Sequence, residues 1–291
     1  MAVFSALTTI SAEQVLILSF VDAPLTKCVT ALHQTHGCVF VVKNLVTTWK
    51  KSAKQRVRRL AEFRGIRRQP LNNYQNSVRR VYDGPRGAAI KYTSKLSLHE
   101  PLMGKLFRSR FDASRFDTIL DVGSGAGQII RHLLVTTTTS RIVGFDLSAE
   151  MLRRAQERLK SDRPIFVAAD MVSVPFKDAA FDCVTCGYAL EHLPDPRPGL
   201  AEFARVLKPG GTVLLLATED SLSGFLTSQT FKCRTYSRTE LKDACKDVGL
   251  EWSKELWLTR FHAALRLGGI LVELRKSLPS EMCAAPLQAS A

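Results

Sequence analysis

The chain has 291 residues, 45% of them hydrophobic and 23% charged; this is the balance of a soluble globular protein of two domains or one extended domain, and it excludes a fibre, a disordered tail or a disulfide-stapled mini-scaffold. No apolar run approaches the roughly 20 residues of a membrane helix, and the first lysine is Lys27, so the charged start of a signal peptide is missing and export is not expected. The net charge of +14 is localised: residues 43–110 hold 18 Lys or Arg against three acids, while residues 111–291 are neutral.

Residues 1–42 contain apolar, strand-like runs and no motif. Beyond them, Trp49, Ala53, Val57, Leu60 and Ala61 fall on one side of a helix at 3.6 residues per turn, among Lys50, Lys51, Lys54, Arg58 and Arg59. Such a basic amphipathic helix suits an anionic membrane surface, a nucleic-acid backbone, or simply a solvated face packed on the rest of the protein. The expected organisation is an N-terminal extension over 1–85, a catalytic domain over 86–280 and a tail over 281–291.

From residue 118 apolar runs alternate with helical patterns. TILDV (118–122) leads through a glycine turn into a helix ending near Leu134, and RIVGFD (141–146) leads into a helix over 149–159. PIFVAAD (164–170), FDCVTCG (181–187) and GTVLLLAT (211–218) read as further strands, with a helix over 198–207 stopped by Lys208-Pro-Gly-Gly. A loop over 219–234, a helix over 238–248 and two closing strands near 250–258 and 270–275 complete the pattern. The alternation predicts an α/β fold, a doubly wound Rossmann-like sheet with helices on both faces, whose ligands bind at the carboxyl ends of the strands. The seven cysteines are scattered without framework spacing, which fits a reducing compartment. Cys183 and Cys186 sit on one strand with side chains to opposite faces, so their CxxC is not read as a metal or redox site.

The strongest local element is DVGSGAG (121–127), where a strand turns into a helix. Gly123 and Gly125 allow a tight turn and close approach to a ligand. The pattern is GxGxG, and Gln128 stands where a dinucleotide fingerprint places its third glycine. Asp146 ends the second strand, 23 residues beyond Gly123, where a carboxylate can accept from both ribose hydroxyls. Ser148 supplies the cap for the following helix, which leaves Asp146 for that role. Asp170, followed by Met171, ends the third strand and suits an adenine edge, with Met151 packing on its face or in the core.

ILDVGSGAG, VGFDLSAEMLRRA, AADMVSVPFKDAAFDCV, ALEHLPDP and FARVLKPGGTVLL, in this order and spacing, resemble the class I S-adenosylmethionine-dependent methyltransferases of the type 11 group, which includes quinone-biosynthesis enzymes. The resemblance covers residues 117–220 and does not reach 1–85. It implies a seven-stranded sheet with the last strand antiparallel, and S-adenosyl-L-methionine as cofactor. It also implies Asp121 near the ammonium group of the methionine part, backbone contacts from Gly123 and Gly125, Asp146 on the ribose, Met151 on the adenine face, and Asp170 with Met171 on the adenine edge. Gly187 and Tyr188 would line the methyl-donor end.

Methyl transfer from a sulfonium needs alignment and exclusion of water more than covalent chemistry. If the acceptor is a hydroxyl, His192 is the candidate general base, against a structural role in its loop. Some related quinone O-methyltransferases carry Glu-x-x-Glu-His here; Glu191 and His192 remain but Tyr188 replaces the first acid, so no metal is expected. The acceptor is expected to be a small or lipid-like molecule, covered by Tyr92, His99 and the 221–231 loop. The protein is expected to be cytoplasmic and peripheral to an anionic membrane face. The rivals are an RNA methyltransferase using the basic region, an NAD-dependent oxidoreductase, and a non-catalytic module that keeps the fold.

Overall fold

A computed structural model describes residues 71–83, 99–231, 233–259, 262 and 269–278. All fall in the second of two units into which the chain divides, Ala53–Ala291. The basic amphipathic pattern around Trp49, residues 1–42, Tyr92 and the 281–291 tail lie outside the described residues.

In chain order the elements are α1 (Leu71–Tyr82), α2 (His99–Ser109), β1 (Thr118–Val122), α3 (Gln128–Thr136), β2 (Arg141–Asp146), α4 (Ala149–Leu159), β3 (Ile165–Ala168) and β4 (Phe181–Gly187). A 3-10 turn (Leu190–His192), α5 (Arg197–Val206), β5 (Leu207–Ala217), α6 (Leu222–Phe231), α7 (Arg238–Lys246), β6 (Leu250–Glu255) and β7 (Ile270–Lys276) follow. The seven strands form one sheet in the order β3-β2-β1-β4-β5-β7-β6. Only β7 runs against its neighbours. The expected mostly parallel α/β sheet is therefore present.

Period-two alternation divides the core into two layers. Leu120, Val122, Val184, Cys186, Val213 and Leu215 face α5 and α7, while Ile119, Cys183, Leu214 and Leu216 face α2 and α3. Cys183 and Cys186 are free, buried and on opposite faces, as their spacing requires. Truncating a fully buried Leu such as Leu120 to Ala would cost about 2–5 kcal/mol. Ser148 caps α4 by accepting from Met151 N at 3.0 Å. Ser237 caps α7 by accepting from Glu240 N at 3.1 Å, at a Ser-x-x-Glu start.

Two expectations need correction. The 219–234 segment is not a loop: α6 occupies Leu222–Phe231, and Ser221 begins it, with Oγ accepting from Gly224 N at 3.0 Å. Lys208-Pro-Gly-Gly does not simply end a helix either; it is a bulged entry into β5, between the pairs Phe181↔Leu207 and Cys183↔Thr212, with Gly210 at φ +72°. Among the described residues, no helix is long and apolar enough to cross a membrane.

Strand order reverses between β1 and β4, since β2 and β3 extend to one side and β5 to the other. The carboxyl ends of β1 and β4 therefore splay apart and open a crevice.

Candidate active site

That crevice is a cavity of about 630 Å³, within the roughly 300–1,000 Å³ of small-molecule sites. Asp121, Gly123, Gly125, Asp146, Met151, Met171, Gly187, Tyr188 and His192 all line it. Residues 71–83, placed by the sequence reading in a separate extension, contribute Val78 and Tyr82 to the same wall.

The turn after β1 is bound tightly to β2. Gly123 N and Ser124 N both donate to Phe145 O, at 2.8 and 3.0 Å. Ser124 Oγ donates to Asp121 O (2.7 Å) and accepts from Phe145 N (2.9 Å), and Gly125 N donates to Asp146 Oδ2 at 2.9 Å. Gly123 has φ +70°, and a Cβ there would lie 2.1 Å from Ala189 Cβ, so neither the backbone nor the space admits another residue. Three consecutive N–H groups are thus spent inside the fold. What Gly123 and Gly125 leave for a ligand is carbonyl and Cα surface, which suits a cation better than a pyrophosphate.

Asp121 is 1% exposed. Thr185, its register partner on β4, donates from Oγ1 to Asp121 Oδ1 at 2.6 Å. Oδ2 is buried and has no hydrogen-bond partner. Burial, with a smaller push from Asp146, moves this carboxyl from the usual 3.8 to about 7. A buried carboxylate oxygen with nothing to accept from is costly, and a bound cation would relieve it.

Asp146 is held by Ser148 N at Oδ1 (2.8 Å) and Gly125 N at Oδ2 (2.9 Å), and burial raises its pKa. Each oxygen keeps a further lone pair for a ligand hydroxyl. Met151 is 2% exposed, and its Cε would stand 3.6 Å from a Cβ at Gly125. It is core and cavity wall at once. Asp170 is not among the lining residues: Gln75 Nε2 on α1 donates to its Oδ2 at 2.5 Å and Val172 N to its Oδ1 at 3.2 Å. Met171 packs toward α5, with Sδ 3.6 Å from where a Cβ on Gly199 would be.

At the other end Gly187 closes β4 against Ile129. Tyr188 takes a left-handed backbone at φ 57°, with its N–H donating to Leu216 O at 2.9 Å. A non-glycine residue in this region stores of order 1–3 kcal/mol of strain. His192 Nε2 lies 2.7 Å from Tyr82 Oη, and burial lowers the imidazole pKa to about 4. Glu191, 2% exposed, accepts from Thr218 N (3.1 Å) and Thr218 Oγ1 (2.5 Å), and burial lifts it to about 7.

Tyr82, Glu191, Thr218 and Cys233 are lining residues to which the sequence reading gave no role in this cavity. Glu191 had a visible signal, an acid inside an otherwise apolar turn; Tyr82 had none, because its partner lies 110 residues away. The remaining wall has an apolar part, with Leu102 and Met103 from α2, Leu216 from β5, Phe231 from α6, and Leu258, and a polar part that includes Gln128, His132, Glu219 and His262. Of the expected acceptor cover, α6 lines the cavity through Gly224, Thr227 and Phe231, and His99 opens α2.

Residues 120–215 match the family model described as "Methyltransferase domain". The chain is 32% identical over 150 residues to the demethylmenaquinone methyltransferase of Clavibacter sepedonicus, covering 51% of this chain and 60% of that protein. It is 31% identical over 147 residues to the 2-phytyl-1,4-naphtoquinone methyltransferase of a Nostoc species, covering 48% and 64%. The chain thus spans less than two thirds of the curated relatives it matches. Among solved structures, a chain from the complex of the Haloferax volcanii Trm112 methyltransferase activator with a methyltransferase aligns with TM-score 0.57 at 25% identity, covering 69% of this chain and 97% of that one. The mitomycin 7-O-methyltransferase MmcR shares the fold, with TM-score 0.53 at 19% identity, covering 62% and 55%. The resemblance to the type 11 methyltransferases, first drawn on motifs, is borne out by these matches.

Proposed function

We propose that this chain, whose residues 120–215 carry a methyltransferase domain, is an S-adenosylmethionine-dependent methyltransferase acting on a small, lipid-like acceptor, and that the acceptor is a reduced quinone. The observation that carries the reading is the orphaned, buried Asp121 Oδ2 beside a glycine turn whose N–H groups are already spent. This is a receptor for an ammonium group, and it argues against the pyrophosphate of NAD.

When bound, S-adenosylmethionine supplies a methyl group already activated on a sulfonium. Asp121 would hold the ammonium, Asp146 would accept from the ribose hydroxyls while its other lone pairs keep Gly125 and Ser148 in place, and Met151 with Met171 would pack against the base. Asp170 would read the adenine edge once Gln75 shares or yields its oxygen. Gly187 and Tyr188 would border the methyl-donor end, where Tyr188's strained backbone fixes the wall. The apolar residues from α2, β5 and α6 exclude water and accept a hydrophobic ring. His192 stays unprotonated at neutral pH and is able to take up a proton during transfer to an acceptor hydroxyl.

The relatives named for quinone acceptors support a lipid-like acceptor. The surplus of positive charge over 43–110 supports association of the chain with an anionic membrane face. No observation favours RNA over this.

Calorimetry with the full-length chain tests the reading. S-adenosylhomocysteine should bind and raise the melting temperature, and NAD should do neither. Mass spectrometry should find a methylated product from S-adenosylmethionine and a reduced naphthoquinone with a short isoprenoid tail. Absence of binding by either S-adenosyl ligand at millimolar concentration would remove the methyltransferase reading.

A further inference from the structure

Tyr82 closes α1, upstream of every residue in the methyltransferase match. Its Oη is 2.7 Å from His192 Nε2, and the two rings meet edge to face, with centroids 5.2 Å apart at 88°. Both residues line the cavity. The position is fixed from several sides: Ser148 Oγ donates to the Asp83 carboxylate, Arg154 donates to Tyr82 O (3.3 Å) and Asp83 O (3.2 Å), and Gln75 donates to Asp170.

The direction of the bond is set by the imidazole tautomer. Burial, with Glu191, Cys233 and Asp146 facing the phenol, raises its pKa well above the usual value, so Tyr82 keeps its proton. Burial lowers His192 to about 4, so the imidazole is neutral and one ring nitrogen is bare. With the imidazole proton on Nδ1, the tautomer that leaves Nε2 bare, the Tyr82 O–H donates to it. In that tautomer His192 Nε2 is covered by Tyr82 and does not itself face the acceptor, whereas Tyr82 Oη still has lone pairs to offer.

Resting on the methyltransferase reading above, we propose that Tyr82 is the residue that touches the acceptor hydroxyl, and that His192 is the proton sink behind it. The acceptor O–H proton moves to Tyr82 Oη as Tyr82's own proton moves to His192 Nε2. The electron pair so freed on the acceptor forms the bond to the methyl carbon, and the carbon–sulfur pair returns to sulfur. One positive charge leaves the sulfonium and one appears on imidazolium, which loses its proton to water after product departs. A base of pKa about 4 is adequate when the two events coincide, because an oxygen gaining a methyl group sheds its proton readily.

The first test needs no turnover. Nitrogen-15 NMR of the full-length chain should show His192 with its proton on Nδ1 and Nε2 bare, and Tyr82→Phe should shift the Nε2 resonance. A proton on Nε2 overturns the proposal. The second test is kinetic, with the reduced short-chain naphthoquinone as acceptor. Tyr82→Phe and His192→Gln should each lower kcat about 10²-fold, and the double variant should fall no further, because the two act as one unit. S-adenosylhomocysteine affinity should stay within about twofold in all three. A Tyr82→Phe enzyme with unchanged kcat and pH profile, or a double variant that loses the product of the single effects, overturns the proposal. Loss of S-adenosylhomocysteine binding by the unsubstituted chain would instead sink the methyltransferase reading, and NMR would still decide the pair.

Discussion

Asp121→Asn should stabilise the ligand-free protein at alkaline pH while damaging its function. Burial moves the Asp121 carboxyl from 3.8 to about 7, so ionising it costs the fold about 4 kcal/mol at roughly 1.4 kcal/mol per tenfold change in acidity. The sign follows from linkage. The unfolded chain releases this proton near pH 4 and the folded chain near pH 7, so stability falls between those values and stays low above them. Asparagine removes the charge and keeps Oδ1 for Thr185, but its amide nitrogen replaces Oδ2 in a place with no partner, at a cost of about 1–3 kcal/mol. The net gain at pH 8 is therefore about 1–3 kcal/mol, or several degrees in Tm for a domain of this size. Below pH 4 the carboxyl is neutral in both states, and the same substitution should destabilise.

Melting curves at pH 8, 6 and 4 read the crossover directly. Calorimetry reads the functional loss: S-adenosylhomocysteine affinity should drop about 10- to 100-fold, because an ammonium loses a charge-assisted partner in a buried site. At pH 6.5 the unsubstituted protein should release a fraction of a proton on binding, seen as buffer-dependent heat, and the variant should release none. An Asn variant that is destabilised equally at pH 8 and pH 4, or one that binds S-adenosylhomocysteine unchanged, would refute the placing of the ammonium on Asp121.

Asp146→Ala should weaken S-adenosylhomocysteine binding by about 1–3 kcal/mol by calorimetry, since it removes a ribose acceptor and frees Gly125 N and Ser148 N. Gly123→Ala should lower stability by about 2 kcal/mol or more in denaturant titrations, because its Cβ would overlap Ala189 and its φ disfavours any side chain. Replacing Lys50, Lys51, Lys54, Arg58 and Arg59 together with Gln should reduce pelleting with anionic vesicles at low salt, at about 1 kcal/mol per charge, with cofactor binding intact. RNA binding with a steep salt dependence, and none to vesicles, would transfer that surface to the RNA alternative. Truncation must stop short of residue 71, because α1 carries Gln75, Tyr82 and the chain into Asp83.

The half of the cavity proposed for the cofactor was legible because its geometry is local. A strand, a glycine turn and a helix lie within residues 118–136, and one further strand brings Asp146 to the turn. The turn has a backbone that only glycine tolerates at Gly123. The helix over 222–231 was missed although Ser221 stands where a cap belongs, because serine, threonine and glycine within the segment read as loop chemistry. Asp170 lies two residues past β3 rather than at its end, and nothing in the sequence indicated that Gln75 would reach it.

The half proposed for the acceptor is assembled differently. Its wall draws on α1, α2, the turn after β4, α6, and the residues around Leu258 and Gly269, segments that meet only when the sheet is complete. Periodicity within a segment reports that it is a helix with an apolar face; it does not report which distant segment that face will meet. Pairing Tyr82 with His192 across 110 residues requires α1 to lie over the carboxyl end of the sheet, and that position is set by contacts to Ser148, Arg154 and Asp170 on the cofactor side. Tyr82 is thus positioned by the elements proposed to hold the cofactor, so disturbance of α1 should be felt at both ends of the cavity.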